Sequence, residues 1–378
     1  MADYQQEIED LFEQYRWANT PSEKIIPIEK AIKIADANHD LNRQALARMY
    51  YIIALHKRRF YKEALIQNIW LLAKLDQNQG GDNLVYQNRK SILWYYKSTI
   101  KSLPYFPEIQ LSKIEEALTD MERRFLAFDS GNQKAVLDFK RRVYSSLGYL
   151  EKAKELFTEY RKYEYRERSK DNLSDCKACM YNADVEFLIS IGEHEEAIKV
   201  SEIIFNNNLS CEAVPRATYE ALCFLYTSLN DAERAKENFK KAMKLAIEKE
   251  DYSYIDEIYY WAKFKKFSTG LKYIKTIFNL QVRDNLTPKS IHSFLLACYH
   301  FFNQLKKNKP KIKSIELAFE PNEYLYKQSG IYQIEEVILN LKEEVFRLSE
   351  KFDARNGNNF YSVHEWNRFE KIFEVTDQ

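Results

Sequence analysis

The sequence is poor in the two residues that most often interrupt regular structure. Glycine and proline occur only 8 times each in 378 residues, about 2% apiece where ordinary usage is roughly 7% and 5%. Hairpin turns and phosphate-binding loops both depend on glycine, so a chain this poor in it is predicted to be mostly helical. Gly-rich phosphate loops and the H-E-x-x-H, G-x-S-x-G and kinase motifs are missing as well.

Neither sign of charge is in excess. The chain has 57 Lys and Arg against 56 Asp and Glu, a formal net charge of +1, so no overall field attracts nucleic acid. The basic clusters at 56–60 and 306–313 are interpreted as solvated surface, and nucleic acid is not expected as a partner. The longest nearly apolar run, 293–302, is too short to span a bilayer. With a polar, acidic start, the chain is expected to be cytoplasmic and free of membrane contact.

Apolar residues recur at helical spacing along nearly the whole chain, which predicts about fourteen to sixteen helices joined by short loops. The helices come in pairs that repeat at 144–157, 188–201 and 226–239. Each copy has a Gly or Asn suited to a left-handed turn and an alanine five residues later: Gly148 with Ala153, Gly192 with Ala197, and Asn230 with Ala235. This periodicity predicts a solenoid in which no helix pair buries its own apolar face alone.

These repeats resemble tetratricopeptide repeats. One copy offers the motif residues Leu137, Tyr144, Gly148, Ala153 and Phe157. The resemblance implies an all-α, right-handed α-solenoid of helix-turn-helix repeats, and the amphipathic stretch 331–360 would be its C-terminal capping helix. Three regions are predicted: 1–126 with degenerate repeats, 127–283 with clear repeats, and 284–378 with further repeats and the cap. The small residue that the family has in the first helix is replaced by Arg141, Val185 and Cys223, so we expect skewed packing.

Three of the five cysteines are candidates for a metal site. Cys176 and Cys179 share one face at the start of a helix, and Cys211 precedes the next repeat. Cys-x-x-Cys is a spacing that zinc accepts, with Asp175, Glu212 or water as a fourth ligand. A structural zinc ion, buried core thiols and a redox switch all remain open. The stretch also resembles bacterial tetratricopeptide proteins with paired cysteines in one repeat and a Cys-x-x-x-Pro start to the next.

A concave groove is the other candidate site. In the tetratricopeptide family, polar residues on the inner face of the first helix of each repeat hold an extended or helical peptide. Carried over by position, the resemblance implies that the groove is lined by Asp138, Arg142, Ser146, Asn182, Glu186, Ser190, Glu220 and Thr227. This set is mixed and somewhat acidic, which suits a basic or mixed-charge peptide; an ordinary solvated face is the alternative.

Three functions follow as hypotheses. The first is a non-catalytic helical-repeat scaffold or adaptor that holds a protein or peptide in the groove. The second, suggested by similarity in length and layout, is an intracellular signalling-peptide receptor whose region 1–126 engages an effector. The third is a metal-dependent enzyme built on Cys176, Cys179 and Cys211, which would need an open metal position and a nearby acid or base. The sequence leaves the partner, the pathway and the oligomeric state open.

Overall fold

A computed structural model of the chain describes residues 3–78, 80, 83–164, 172–249, 255–281, 286–317 and 326–374. Within these residues the protein is predominantly helical, which confirms the predicted all-α class. The eighteen described α-helices are α1 (Asp3–Trp17), α2 (Pro21–Ala37), α3 (Leu41–Lys57), α4 (Tyr61–Gln77), α5 (Leu84–Gln87), α6 (Arg89–Ser102), α7 (Leu111–Phe128), α8 (Gln133–Ser146), α9 (Leu150–Tyr160), α10 (Lys177–Ser190), α11 (His194–Asn206), α12 (Arg216–Ser228), α13 (Ala232–Lys249), α14 (Ile255–Lys263), α15 (Phe267–Gln281), α16 (Pro288–Asn308), α17 (Ile334–Asn356) and α18 (Trp366–Lys371). None of them combines the length and the apolarity needed to cross a membrane.

The chain divides into two compact units. The first comprises Met1–Ser146 and Glu151–Ser174, and the second comprises Leu147–Leu150 and Asp175–Gln378. In the first unit α1, α2, α3 and α4 each pack against the next helix, and α6, α7 and α8 continue the series. The predicted division into three regions stays a prediction, and its boundary at residue 283 lies outside the described residues.

The second unit is built from helix pairs. Each of α10, α12, α14 and α16 packs against the helix that follows it in sequence, so α11, α13, α15 and α17 are their partners. The first helices of the pairs also contact one another in succession, α10 with α12, α12 with α14, and α14 with α16. Each pair therefore buries its apolar face against its neighbours, as a helical repeat requires.

The turn inside the repeated pairs has the backbone conformation that the sequence predicts. Its left-handed residue has a φ of 80° at Gly148, 84° at Gly192 and 58° at Asn230. The alanines that follow are fully buried, namely Ala153, Ala197 and Ala235. Two further turns have the same arrangement with a long basic residue at the left-handed position. Arg59 lies five residues before buried Ala64, and Lys265 lies five residues before buried Gly270. The repeated turn therefore also occurs in α3–α4 and α14–α15.

Gly148 and Gly192 give a matched pair of substitutions. An alanine Cβ at Gly148 would clash with the side chain of Phe360, whereas at Gly192 nothing lies within 4 Å. We expect Gly192→Ala to lower the free energy of unfolding by about 1–2 kcal/mol through backbone strain alone. Gly148→Ala should lower it by about 1–3 kcal/mol more because of the clash. Urea unfolding of both variants measures the difference, and equal effects would show that Phe360 does not lie against Gly148.

The predicted helix over 331–360 is wrong at its beginning. Ile331–Gln333 forms strand β2, which pairs antiparallel with strand β1, Ser314–Glu316. Burial alternates along both strands, with Ile315 and Tyr332 buried between exposed neighbours, so this short stretch follows the period of a strand. The amphipathic helix begins three residues later and runs over Ile334–Asn356.

Candidate metal centre and aromatic face

The structure brings the three predicted cysteines together. The sulfur atoms of Cys176, Cys179 and Cys211 all lie within 4.8 Å of one another, and we call these residues the thiol cluster. Sγ of Cys179 lies 3.3 Å from Sγ of Cys211. All five cysteines are free thiols, and Cys223 on α12 and Cys298 on α16 are buried. Asp175 and Glu212, the predicted fourth ligands, do not belong to the cluster as far as the described residues show.

The beginning of α10 positions two of the thiols. Cys176 is the N-cap residue, with extended backbone (φ −64°, ψ 156°), and its Sγ accepts a hydrogen bond from the N–H of Cys179 at 3.4 Å. A sulfur here takes the place of the oxygen that normally caps a helix. This cap fixes the positions of both sulfurs at the start of α10.

Cys211 lies in the turn that precedes α12. Its N–H donates to the carbonyl of Val214 at 3.0 Å. Partial burial opposes ionisation of Cys211, yet backbone hydrogen bonds from Val214 and Ala213 and the thiol of Cys179 together lower its pKa. Burial and the neighbouring thiols raise the pKa of Cys179 instead. Of these two thiols, Cys211 is therefore the one whose thiolate form is more favoured.

The donor set fits a soft divalent cation. A zinc–sulfur bond of about 2.3 Å places the sulfurs of a tetrahedral site about 3.8 Å apart. The sulfur–sulfur distances of the thiol cluster are close to this value: one pair is 3.3 Å apart, and all pairs lie within 4.8 Å. The ion would have three protein ligands, Cys176, Cys179 and Cys211, at three of its four tetrahedral positions. It would thereby join the start of α10 to the turn before α12.

The first unit uses the predicted groove residue Asp138 for an internal contact. Its side chain is 1% exposed and pairs with the guanidinium of Arg141 at 2.6 Å and with that of Arg142. Burial opposes ionisation, but the two guanidinium groups hold the pKa of Asp138 well below its usual range. The rings of Phe157 and Tyr160 cover Arg141, which explains how an arginine fits where the repeat family has a small residue. Ser146, the third predicted residue of this helix, is half-buried.

The second unit places the other predicted groove residues on α10 and α12. Asn182 accepts from the hydroxyl of Thr218 at 2.7 Å and donates to Glu186 at 2.7 Å, which joins the two helices. Glu186 is exposed. The remaining three serve their own helices: Ser190 donates to the carbonyl of Phe187, Glu220 pairs with Arg216, and buried Thr227 donates to the carbonyl of Cys223. Their role in ligand binding stays a prediction.

Aromatic side chains from three successive repeats form a surface that the sequence analysis missed. Phe224 on α12, Tyr259 on α14, and Tyr299 and His300 on α16 make up this aromatic face. The last described part of the chain, residues 360–374, lies on it, and we call this part the C-terminal segment. Its ring contacts are Phe369 stacked on Tyr259 at 4.6 Å, Phe369 against Phe224 at 5.7 Å, Trp366 against Tyr299 at 4.8 Å and Phe373 against His300 at 5.4 Å.

Polar contacts hold the two ends of the C-terminal segment. The carboxylate of Asp353 accepts from the N–H of Tyr361 at 2.8 Å and from that of Ser362 at 2.9 Å. Near the other end, the ammonium of Lys263 on α14 donates to the carbonyl of Ile372. The segment is thus tied to α17 and to α14, and its middle part crosses the aromatic face.

Ionisable groups gather around the aromatic face. Asp256 on α14 is exposed and interacts electrostatically with Arg368 and Glu186. Glu257 is 1% exposed, and burial together with Glu220 and Asp256 raises its pKa well above the usual value. The face therefore lies beside a group of carboxyls, with Arg368 of the C-terminal segment as the cation that approaches them.

A sequence signal for this arrangement exists in the C-terminal segment. Trp366, Phe369 and Phe373 follow the three- and four-residue spacing that puts side chains on one helix face. Both histidines of α16 are buried: His292 forms a hydrogen bond with Ser349 at 2.8 Å, and His300 packs against the segment. The partner of the aromatic stripe is set by tertiary packing, which spacing alone does not reveal.

Comparison with known proteins returns no relative. No model of a protein family matches the chain, and no curated protein matches it. The similarity to tetratricopeptide repeats therefore rests on the repeat residues and turns described above.

Proposed function

We propose that this protein is a non-catalytic helical-repeat adaptor, a right-handed tetratricopeptide-like solenoid that binds a protein or peptide at the aromatic face. The observation that supports the proposal is the C-terminal segment, a stretch of polypeptide seated on that face through Trp366, Phe369 and Phe373. Large, rigid aromatic side chains dominate the energy of many binding surfaces because they bury much area with little loss of conformational freedom.

Acidic groups beside the aromatic face favour a basic ligand. Exposed Glu186 and Asp256 lie on α10 and α14, and Arg368 is the cation that reaches this region. Opposite charges steer a ligand and fix its register more than they add raw affinity. The proposed ligand is therefore a peptide segment that combines aromatic and basic side chains.

Selection from a random peptide library on the immobilised full chain tests this function. We expect selected peptides to bind about tenfold or more weakly to Tyr299→Ala and to Asp256→Lys, because both residues belong to or adjoin the face. Glu115→Lys is the matched control, since it makes the same charge change on an exposed residue of α7. Peptides that bind all four proteins with equal affinity would contradict the proposal.

A second proposal concerns the thiol cluster, which we assign one structural zinc ion held by Cys176, Cys179 and Cys211. The support is the convergence of three sulfurs within 4.8 Å from two parts of the chain that are separated in sequence. When bound, zinc would cross-link the start of α10 to the turn before α12, with water or another group at its fourth position.

The alternative function, a signalling-peptide receptor with an effector-binding N-terminal region, is supported by a different feature. Among the residues of 1–126 that the structure describes, four large apolar side chains are more than half exposed: Trp17, Ile26, Ile66 and Ile69. Ile66 and Ile69 lie three residues apart on α4 and so share a face. Replacing both by lysine should abolish effector binding and leave peptide binding at the aromatic face unchanged.

A further inference from the structure

The C-terminal segment is buried near its two ends, at Tyr361 and Ile372, but not where α18 crosses the aromatic face. None of the residues of α18 is buried, whereas Tyr259 beneath them is 1% exposed. Phe369 and Phe373 contact the face and keep partial exposure. A helix of six residues held in this way loses little if a competing segment takes its place, because isolated short helices are marginal in water.

The C-terminal segment satisfies the apolar side chains of the face and leaves polar atoms beneath it without partners. Within the part of the chain that the structure describes, the hydroxyl of Tyr259 and Nε2 of His300 are buried and have no hydrogen-bond partner. An unpaired buried polar atom destabilises a structure by about 1–3 kcal/mol. A ligand that reaches these atoms would bind better than the segment does.

Arg368 shows which charge the face accepts. Its guanidinium lies over the ring of Phe224, 5.2 Å from the centroid. Its surroundings lower the pKa of Arg368 by desolvation, while the nearby carboxyls of Glu365 and Asp256 oppose that shift. The titratable groups that interact with it come from several elements, namely His194 at the start of α11, Asp256 and Tyr259 on α14, and Glu365 on the segment itself. Two of these groups are carboxyls.

We propose that the C-terminal segment is an intramolecular ligand of the aromatic face, and that the partner is a peptide segment of the same chemistry, with an arginine between aromatic side chains. This inference rests on the proposed function, since it names the ligand class and the regulation of the same face. The partner has to displace residues 360–374. Its apparent affinity is therefore its intrinsic affinity for the open face multiplied by the fraction of molecules in which the segment is released.

A labelled peptide with the sequence of residues 360–374 tests the competition directly, by fluorescence anisotropy against the full chain. The segment is weakened by Phe369→Ala with Phe373→Ala, and the control is Asn367→Ala with Glu370→Ala, two exposed residues of the same segment. We expect the peptide to bind the first variant about tenfold or more tightly than it binds the wild type and the control. Equal affinity for all three proteins would overturn the proposal.

The arginine preference needs a second peptide. With Arg368→Ala in the peptide, binding to the weakened variant should fall about tenfold or more. Asp256→Asn in the protein should reduce that preference for arginine. A peptide without arginine that binds equally well would overturn the stated ligand chemistry.

The possible failures are distinguishable. If library-selected peptides bind the face but the peptide 360–374 does not, this inference fails and the proposed function stands. If neither kind of peptide binds the wild type or the weakened variant, both fail. A wild-type dimer that dissociates when Phe369 and Phe373 are replaced would assign the face to the segment of a second copy, which would also overturn the intramolecular arrangement.

Discussion

Cys179→Ser is expected to abolish binding of one zinc ion per chain. Serine cannot supply a thiolate, so the variant lacks one of the three ligands whose sulfurs lie within 4.8 Å of one another. Because zinc binds the folded site, free zinc at 100 to 1,000 times its dissociation constant stabilises the fold by about 3–4 kcal/mol. For a unit of this size that corresponds to a rise in Tm of about 5–15 °C, which the variant should lack. Native mass spectrometry and thermal unfolding with and without chelator measure both effects.

The control for this substitution is Cys298→Ala, which removes a buried core thiol outside the thiol cluster. It should retain the zinc ion and its dependence on chelator. Zinc bound equally by wild type and Cys179→Ser would contradict the assignment. A wild-type mass lower by two hydrogens, with no added metal, would instead favour the redox interpretation, since the sulfurs of Cys179 and Cys211 lie only 3.3 Å apart.

Asp138→Ala should strongly destabilise the first unit. It leaves the 1% exposed guanidinium of Arg141 without its partner at 2.6 Å and deprives Arg142 of the same carboxylate. Breaking a buried ion pair by removing one member lowers the free energy of unfolding by about 3–5 kcal/mol. The matched control is Glu116→Ala, whose exposed pair with Lys113 at 2.8 Å should contribute less than about 1 kcal/mol.

The stabilisation that ionised Asp138 provides should decrease as the pH falls. The pKa of Asp138 is lower in the folded protein than in the unfolded chain. Its stabilisation is therefore complete above the ordinary aspartate pKa of about 3.9 and disappears as the pH falls through the folded value. Urea unfolding at neutral pH should show the full difference between wild type and Asp138→Ala. A loss below about 1 kcal/mol would mean that Asp138 faces solvent, as a groove residue would.

Local spacing predicts much of the helical repeat. The glycines and the asparagine at the left-handed turns, and the alanines five residues later, need only chain-neighbour geometry, so Gly148, Gly192 and Ala197 were correctly predicted. Arg59 and Lys265 occupy the same turn in the less regular copies at 56–72 and 264–278, which the sequence also indicates. Neither side chain favours positive φ, so the left-handed position itself is not readable from these two residues.

The candidate sites divide in the same way. The thiol cluster was predictable because Cys176 and Cys179 share a helix start and Cys211 begins the next repeat. The packing of the C-terminal segment on Tyr259 depends on where the chain goes after α17, about which residue periodicity says nothing. The polar groove residues were chosen by family position, and the pairing of Asp138 with Arg141 shows that such a position can be internal.

Hydrogen exchange of the full chain, with and without the best peptide selected from the library, tests the central proposal most directly. We expect the peptide to slow exchange in α12, α14 and α16, whose side chains form the aromatic face. Exchange in residues 360–374 should become faster at the same peptide concentrations, because the segment is displaced. Protection confined to other helices, with unchanged exchange in residues 360–374, would contradict both the binding face and its intramolecular ligand.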